Sequence, residues 1–368
     1  MRKITVFLLS VVCAAACVFG LTACKAQVDT PTQTPEYLEY TQSEDGQSYS
    51  LTKVDTLAKN EVVIKAAYNG KPVTNIATGA FLNCTDVTSI VIPSSVTSIG
   101  TEAVKGCTGL QEITVPFAGT SADSGKFSDI FDSVPKSLKT VVLTGGMKVH
   151  KKAFMDCGDL ENVRLPDSIT EIGEDAFNNC KKLTSVNIPS SVKFIGSYAF
   201  AKCIKLDTIT IPSSVWEIGD FVFYSCGLTS ITIPDSVKYI AYHAFDSCYY
   251  LESIDIPSSV THIGRNAFID CRGLTSVTIS SSVKKIEDGT FYGCRNLTKV
   301  TIPSSVKVIE IDAFGDCRNL TNIIFNGTKE DWHAIDKKSG SEGAWNSNSG
   351  NYTVTCTNGE LSKKDSNK

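Results

Sequence analysis

Histidine is scarce in this chain, and the residue spacings typical of enzymatic or metal chemistry are missing. Only four histidines occur in 368 residues: His150, His243, His262 and His333. There is no Gly-x-Ser-x-Gly, His-Glu-x-x-His, phosphate-cradling glycine loop or EF-hand spacing. We therefore predict histidines in solvated turns, no catalytic residues, no metal site and no cofactor, and the chain is not predicted to be an enzyme.

The chain also lacks an excess of positive charge. Its 35 Lys and Arg residues against 39 Asp and Glu residues give a formal net charge of −4. A mildly acidic chain gives no support for general binding to nucleic acid or for a polybasic membrane patch. We expect no nucleic-acid partner.

A long uncharged apolar run occurs at the N-terminus. Met1-Arg2-Lys3 precedes an uncharged stretch from Ile4 to Ala23, which predicts a signal peptide over residues 1–23. Leu21-Thr22-Ala23-Cys24 resembles the lipobox of bacterial lipoproteins, and this resemblance implies a lipid on Cys24 as the first mature residue. An uncleaved membrane anchor is the alternative. Either way we expect an exported chain, held at the outer face of a bacterial membrane, with residues 24–46 as a flexible spacer.

Fourteen cysteines are present, and ten of them recur at almost fixed spacing. Successive members are 22 or 23 residues apart, except for one double gap of 50. The ten are Cys84, Cys107, Cys157, Cys180, Cys203, Cys226, Cys248, Cys271, Cys294 and Cys317. Alignment on them gives the consensus L-T-S-V-x-I-P-S-S-V-x-x-I-G-x-x-A-F-x-x-C-x-x, of which residues 183–205 are a clean copy. Such a unit is too short to enclose a core and must bury its apolar side against its neighbours.

Residue types within one unit predict the path of a coil. Leu183, Val186 and Ile188 have the spacing of a short strand with one face in the core. Pro189 cannot donate a backbone hydrogen bond, so we expect the strand to end there. Phe200 and Cys203 are three residues apart, which predicts a helical turn that buries both. Stacked phenylalanines are expected to form an aromatic column, with Val104 as the exception: Phe81, Phe154, Phe177, Phe200, Phe223, Phe245, Phe268, Phe291 and Phe314.

The repeat resembles the BspA-like leucine-rich-repeat family of bacterial surface proteins. The I-P-S-S-V turn, the I-G corner and the A-F-x-x-C-x-x-L step carry the resemblance over roughly residues 60–325. It implies a right-handed repeat solenoid with a parallel β-sheet on one face, short helical turns or irregular segments on the other, and small caps. Some members bind extracellular-matrix proteins or other bacteria, so the resemblance implies adhesion or recognition.

Departures from the repeat set the expected domain bounds. Residues 47–80 are interpreted as an N-terminal cap with an incomplete first coil, 81–325 as the solenoid, and 326–368 as a C-terminal cap with a polar tail. The coil over 110–137 is longer than the others, and its segment from Phe117 to Phe127 is rich in Gly and Ser. We expect that segment to protrude, and it is a second candidate binding site.

The repeat cysteines allow three interpretations. Neighbouring coils lie about 5 Å apart, which permits disulfides by Cα separation, but identical side chains in stacked coils point the same way. Metal binding would normally use C-x-x-C pairs or nearby histidines. The favoured interpretation is a small buried apolar residue at the corner of each coil.

Outward strand positions are the predicted binding face. They form two hydroxyl-rich, largely uncharged columns: Ser185, Asn187, Thr208, Thr210, Ser230, Thr232, Ser253, Asp255, Ser276 and Thr278. Ser and Thr are also ordinary soluble strand residues, so the columns alone do not establish a site. The favoured function is a surface-anchored adhesion or recognition protein with an extracellular protein or glycan ligand. The alternative is a lipoprotein that captures glycan or peptide for uptake.

Overall fold

We analysed a computed structural model, which describes residues 37–340 and 343–367. Cys24, the predicted signal peptide and most of the predicted spacer lie outside the described residues. The described part is a parallel β-solenoid of about 12 turns with little helix. None of its helices is long and apolar enough to span a membrane.

One face of the solenoid is the predicted parallel sheet, here called the front sheet. Its strands pair in register with the next coil, as when Ser253 lies opposite Ser276 and Ile254 opposite Val277. Apolar side chains of these strands point into the core, and polar ones point out. The parallel strands are Asn60–Val63, Val87–Val91, Glu112–Val115, Thr140–Leu143, Asn162–Arg164, Ser185–Val186, Ser230–Thr232, Ser253–Asp255, Ser276–Thr278, Lys299–Ile302, Asn322–Phe325 and Thr353–Cys356.

A second row of short strands, here called the side sheet, forms where the consensus reads V-x-x-I-G. In each two-residue strand except Asp336–Lys337 the second residue is buried and the first is exposed or half-buried, so the row covers a second side of the core. Its strands are Lys71–Ile76, Ser98–Ile99, Lys148–Val149, Glu171–Ile172, Phe194–Ile195, Glu217–Ile218, Tyr239–Ile240, His262–Ile263, Lys285–Ile286, Val308–Ile309 and Asp336–Lys337.

The third face consists of tight turns, where helical turns were predicted. Ala199 and Cys203 donate their N–H groups to carbonyls three residues back, whereas Phe200 N donates to Val222 O of the next coil. Alternate residues therefore close a turn or bond to a neighbour, which an α-helix cannot do. Positive φ at Tyr198 (58°) and Lys202 (60°) permits this path. The helical-turn prediction is wrong in its backbone, although Phe200 and Cys203 are both buried as expected.

The predicted aromatic column is confirmed: all nine phenylalanines are fully buried. Neighbouring rings stack nearly parallel, as for Phe154 and Phe177 at 5.2 Å between centroids. The repeat cysteines are buried free thiols beside this column, in agreement with the favoured interpretation.

The long coil folds back on the core instead of protruding. Phe117 and Phe127 are buried, and the 3₁₀ turn Phe127–Ile130 occupies the position that A-F fills in other coils. Phe127 stacks on Phe154 with 5.1 Å between ring centroids, so it belongs to the aromatic column. The prediction of a protruding segment is wrong because its two phenylalanines supply the core that this coil would otherwise lack. Residues 122–124 remain exposed at its tip.

The N-terminal end has more structure than a spacer would. Leu38–Gln42 pairs antiparallel with Tyr49–Val54, which in turn lies parallel to Lys71–Ile76 of the side sheet. Tyr40 also stacks on Tyr68 at 4.5 Å between centroids. The expected spacer boundary at residue 46 is therefore too late, because this hairpin covers the first coil. Ala67–Tyr68 completes this end as an antiparallel partner of Lys71–Ile76.

The C-terminal end closes the core with tryptophans. Trp345 packs edge-on against Phe314, the last ring of the column, at 6.1 Å between centroids. Trp332 is fully buried and donates its indole N–H to Ser366 O at 2.9 Å. The remaining elements of this end are the helices Lys329–His333 and Lys363–Ser366 and the strands Ser339–Gly340, Gly343–Ala344 and Gly359–Ser362.

Candidate functional site

The ten predicted face residues lie on the outer side of the front sheet or in the coil that interrupts it, and all are exposed. Backbone register stacks Ser230, Ser253 and Ser276 in one column. The same register places Thr232, Asp255 and Thr278 in a second column. Within the described chain, none of these six side chains forms a hydrogen bond, so their oxygens are free to meet a ligand.

Two of the predicted face residues are already engaged within the sheet. The Asn187 side chain accepts from Leu165 N at 2.8 Å and donates to Leu165 O at 2.9 Å. Ser185 donates its hydroxyl to Asn162. A shallow depression of about 500 Å³ lies beside them, and Arg164 lines it together with Ser185 and Asn187.

The front sheet and the side sheet are both interrupted between the coil of residues 183–205 and the coil of 206–227, which we call the junction. The side sheet has two further breaks, before Lys148–Val149 and before Lys285–Ile286. Residues 206–211 form no strand and contribute only one bridge, from Thr210 to Thr232. On the side sheet, Phe194–Ile195 and Glu217–Ile218 are unpaired end strands. The predicted continuous face is therefore two sheets. On the other side of the same coil, the Asn187 side chain replaces its backbone carbonyl as acceptor for Leu165 N, so Ser185–Val186 pairs with the preceding strand over only two residues.

The spacing of the core confirms that the coils separate at the junction. The rings of Phe200 and Phe223 are 5.9 Å apart, whereas neighbouring phenylalanines elsewhere in the column are 5.1–5.4 Å apart. The glycines at the corners show how closely the backbones of neighbouring coils approach. A Cβ atom added to Gly196 would lie only 2.5 Å from Glu174 N of the preceding coil. A Cβ atom added to Gly219 would lie 3.4 Å from Ile195 O, the nearest backbone atom of the preceding coil. A crevice of about 90 Å³ opens there between Phe194 and Gly219.

The best-ordered histidine contacts are those of His243, in the turn face of the solenoid. His243 Nδ1 lies 2.6 Å from Asp246, its Nε2 meets Asn266 at 3.1 Å, and its ring stacks on Phe221. The imidazole is thus held by three neighbours in a half-buried corner. Among residues 37–340 and 343–367 there is no group of three or more His, Cys, Asp or Glu side chains placed to hold a metal ion.

An exposed aromatic surface on the side sheet was missed at the sequence level. Phe194, Trp216 and Tyr239 are 49%, 48% and 43% exposed, respectively. All three occupy the two variable positions between Val and Ile in the V-x-x-I-G corner. Reading those two positions down successive repeats, as was done for the strand columns, would have found them.

Comparisons with known proteins agree with this architecture. The family model described as "BspA type Leucine rich repeat region" matches in six copies, over residues 74–133, 147–226 and 216–334. No curated protein shows significant similarity to the chain.

Solved structures of bacterial leucine-rich-repeat proteins are also similar in sequence. A leucine-rich cell surface protein from Faecalibacterium prausnitzii A2-165 is 28% identical, covering 85% of this chain and 99% of that one, with a TM-score of 0.38. A leucine-rich repeat protein from Bacteroides ovatus is 25% identical, covering 83% and 97%, with a TM-score of 0.40. These TM-scores are too low to carry weight, so the assignment depends on the family model, which matches more than half of the chain. The chain belongs to the BspA-type leucine-rich-repeat family.

Proposed function

We propose that this protein is a binding protein anchored outside a bacterial cell, which presents its front sheet to an extracellular protein or glycan. The observation that supports it is the double column of free polar side chains over Ser230–Thr232, Ser253–Asp255 and Ser276–Thr278. Parallel coils repeat the same contacts at about 4.8 Å intervals, so an extended ligand would gain many weak hydrogen bonds at once.

Membrane attachment is the second part of the proposal. The lipobox-like Leu21-Thr22-Ala23-Cys24 supports lipid attachment at Cys24. Mass spectrometry of the N-terminal peptide from membranes tests this directly. A diacylglyceryl mass on Cys24 is expected, and an unmodified, uncleaved Cys24 would refute the anchor while leaving the binding face to be tested separately.

A panel of matrix proteins and a glycan array test the binding role. For any ligand found, Ser230→Lys with Ser253→Lys should weaken binding at least tenfold, because long charged side chains would cover the hydroxyl column. Ser213→Lys with Ser304→Lys is the matched control, since both serines are exposed in the turns that follow the front-sheet positions and lie outside the two polar columns. Equal loss in both pairs, or no loss in the first, would count against the front sheet.

A further inference from the structure

The exposed aromatics of the side sheet belong to a longer feature, here called the aromatic–lysine strip: Lys193, Phe194, Trp216, Lys238, Tyr239 and Lys284. Backbone bonds fix the middle of the strip, since Lys238 N donates to Trp216 O at 2.8 Å and Tyr239 lies opposite Glu217 and His262 in the parallel ladder. Across the junction, Phe194 lines one crevice together with Glu217 and Gly219. The coils of residues 183–205, 206–227, 228–250 and 274–296 each add one or two members, and the coil of 251–273 adds none.

The rings of the strip are arranged as platforms. Trp216 and Tyr239 meet at 89° with 5.9 Å between centroids, and Tyr239 meets His262 at 6.3 Å. Two perpendicular rings make a corner with two apolar walls. The two rings belong to successive coils, which lie about 4.8 Å apart. This distance is close to the length of one sugar residue in an extended polysaccharide.

The fold itself does not require aromatics at these positions. The coil before the strip places Thr170 and Glu171 there, and the last coil of the strip places Lys284 and Lys285, so neither has an aromatic residue. Both coils form the same side-sheet strands, Glu171–Ile172 and Lys285–Ile286, with the same buried isoleucine. Exposed aromatic clusters are unfavourable in water unless something covers them. The aromatics therefore serve something outside the solenoid.

The strip also carries uncompensated positive charge. Within the described chain, Lys193, Lys238 and Lys284 are exposed and form no ion pair, in contrast to Lys148 and Lys285 nearby, which do.

Three acids without an ion pair within the described residues also lie along the strip: Glu217 beside Tyr239, Asp220 in the crevice beside Phe194, and Asp235 in the turn before Lys238. Lys307, in the next coil, adds a fourth cation without an ion pair. Cations thus outnumber acids along the row, with apolar rings between them.

We propose that the aromatic–lysine strip binds an acidic polysaccharide laid along the solenoid axis. Ring faces would pack against the C–H faces of sugar rings, and the lysines would neutralise carboxylates or sulfates carried on successive sugars. Glu217 can accept hydrogen bonds from sugar hydroxyls. This site is separate from the front sheet and does not depend on what the front sheet binds.

Binding of the full chain to polygalacturonate tests the proposal, with dextran as the neutral polymer and poly-glutamate as the anionic polymer without sugar rings. We expect polygalacturonate to bind at least tenfold more tightly than either, and its binding to weaken as salt rises. Trp216→Ala with Tyr239→Ala should weaken it at least tenfold, and Lys193→Gln with Lys238→Gln should remove most of the salt dependence.

Matched controls distinguish this site from general charge and from the front sheet. Lys181→Gln with Lys205→Gln removes two other exposed lysines that form no ion pair within the described residues, and polygalacturonate affinity should stay within twofold. Ser230→Gln with Ser253→Gln, which changes the front sheet without adding charge, should likewise leave it unchanged. Equal binding to poly-glutamate or dextran, or full affinity in the Trp216 and Tyr239 double variant, would overturn the proposal. Circular dichroism and thermal unfolding confirm that each variant is folded.

Discussion

At the residue scale, cysteine is specified by a hydrogen bond as well as by size. Cys203 Sγ donates to Phe177 O of the preceding coil at 3.2 Å, and that carbonyl also accepts Cys180 N at 3.2 Å. Seven further thiols make the same contact: Cys107, Cys180, Cys226, Cys248, Cys271, Cys294 and Cys317. The repeat spacing predicts that the thiol is buried. It does not predict that the thiol donates a hydrogen bond, because that bond depends on the distance between two neighbouring coils.

Phenylalanine in the same corner supplies much of the core, and its truncation should be costly. Phe223 is fully buried between Phe200 and Phe245, with centroids 5.9 and 5.4 Å away. We expect Phe223→Ala to lower the free energy of unfolding by about 3–5 kcal/mol, because it removes apolar contacts and leaves a cavity. Urea unfolding followed by circular dichroism measures this.

Tyr250→Ala is the control for that measurement, since Tyr250 is 63% exposed. Its effect should stay within about 0.5 kcal/mol. A loss below about 1 kcal/mol for Phe223→Ala would contradict the packing role of the column.

At the element scale, the sequence predicts what every coil repeats and misses what single coils do differently. The front sheet, the Pro189 strand end and the aromatic column follow from residues that recur at each step. The junction and the bonds of the Asn187 side chain to the backbone of the preceding coil each occur in a single coil, so the consensus does not predict them. The prediction that the long coil protrudes is wrong for a related reason. Phe127 does not fall at the repeat position of the other phenylalanines, so the sequence pattern does not place it in the aromatic column.

Interruption of both sheets at the junction should be visible in hydrogen exchange. Lys238 N and Ala241 N donate across the side sheet to Trp216 O and Ile218 O, both at 2.8 Å. Trp216 N and Gly219 N, the equivalent groups at the junction, make no such bond within the described chain. We therefore expect the Trp216 and Gly219 amides to exchange at least tenfold faster than those of Lys238 and Ala241, because closed ladder bonds protect amides. Equal protection of the two pairs would show that the coils are in contact at the junction.

At the scale of the whole molecule, the thiols act together. Burial raises the pKa of Cys84 to about 11, and the nearby Asp55 raises this pKa further. Burial also raises the pKa values of Cys107 and Cys157 to about 12, where Cys84 and Asp156 are the neighbours that add to the effect. Burial raises the thiol pKa in the same direction at seven more positions: Cys180, Cys203, Cys248, Cys271, Cys294, Cys317 and Cys356. Each folded thiol therefore keeps its proton at a pH where the unfolded chain releases it.

Stability should consequently fall steeply in alkali. Below the ordinary thiol pKa both states hold these protons, and the stabilisation is fully present. Above about pH 9 the unfolded chain loses protons that the folded chain retains, and each thiol then lowers the free energy of unfolding by about 1.4 kcal/mol per pH unit. Several thiols acting together can cancel a typical net stability of about 5–15 kcal/mol within one or two pH units. We expect the urea midpoint to be nearly constant from about pH 7 to 8 and to drop sharply between about pH 9 and 10.

A serine variant separates this effect from the ionisation of tyrosine and lysine. Cys203→Ser with Cys271→Ser keeps a donor to Phe177 O and Phe245 O but removes two titrating groups. Its free energy of unfolding should fall less steeply above about pH 9, by about 2.8 kcal/mol per pH unit, because two fewer protons are released on unfolding. An unchanged slope would mean that the thiols ionise alike in both states, in contradiction to their burial. A shallower fall of the free energy of unfolding with pH would show that the repeat cysteines limit the stability of the solenoid in alkali.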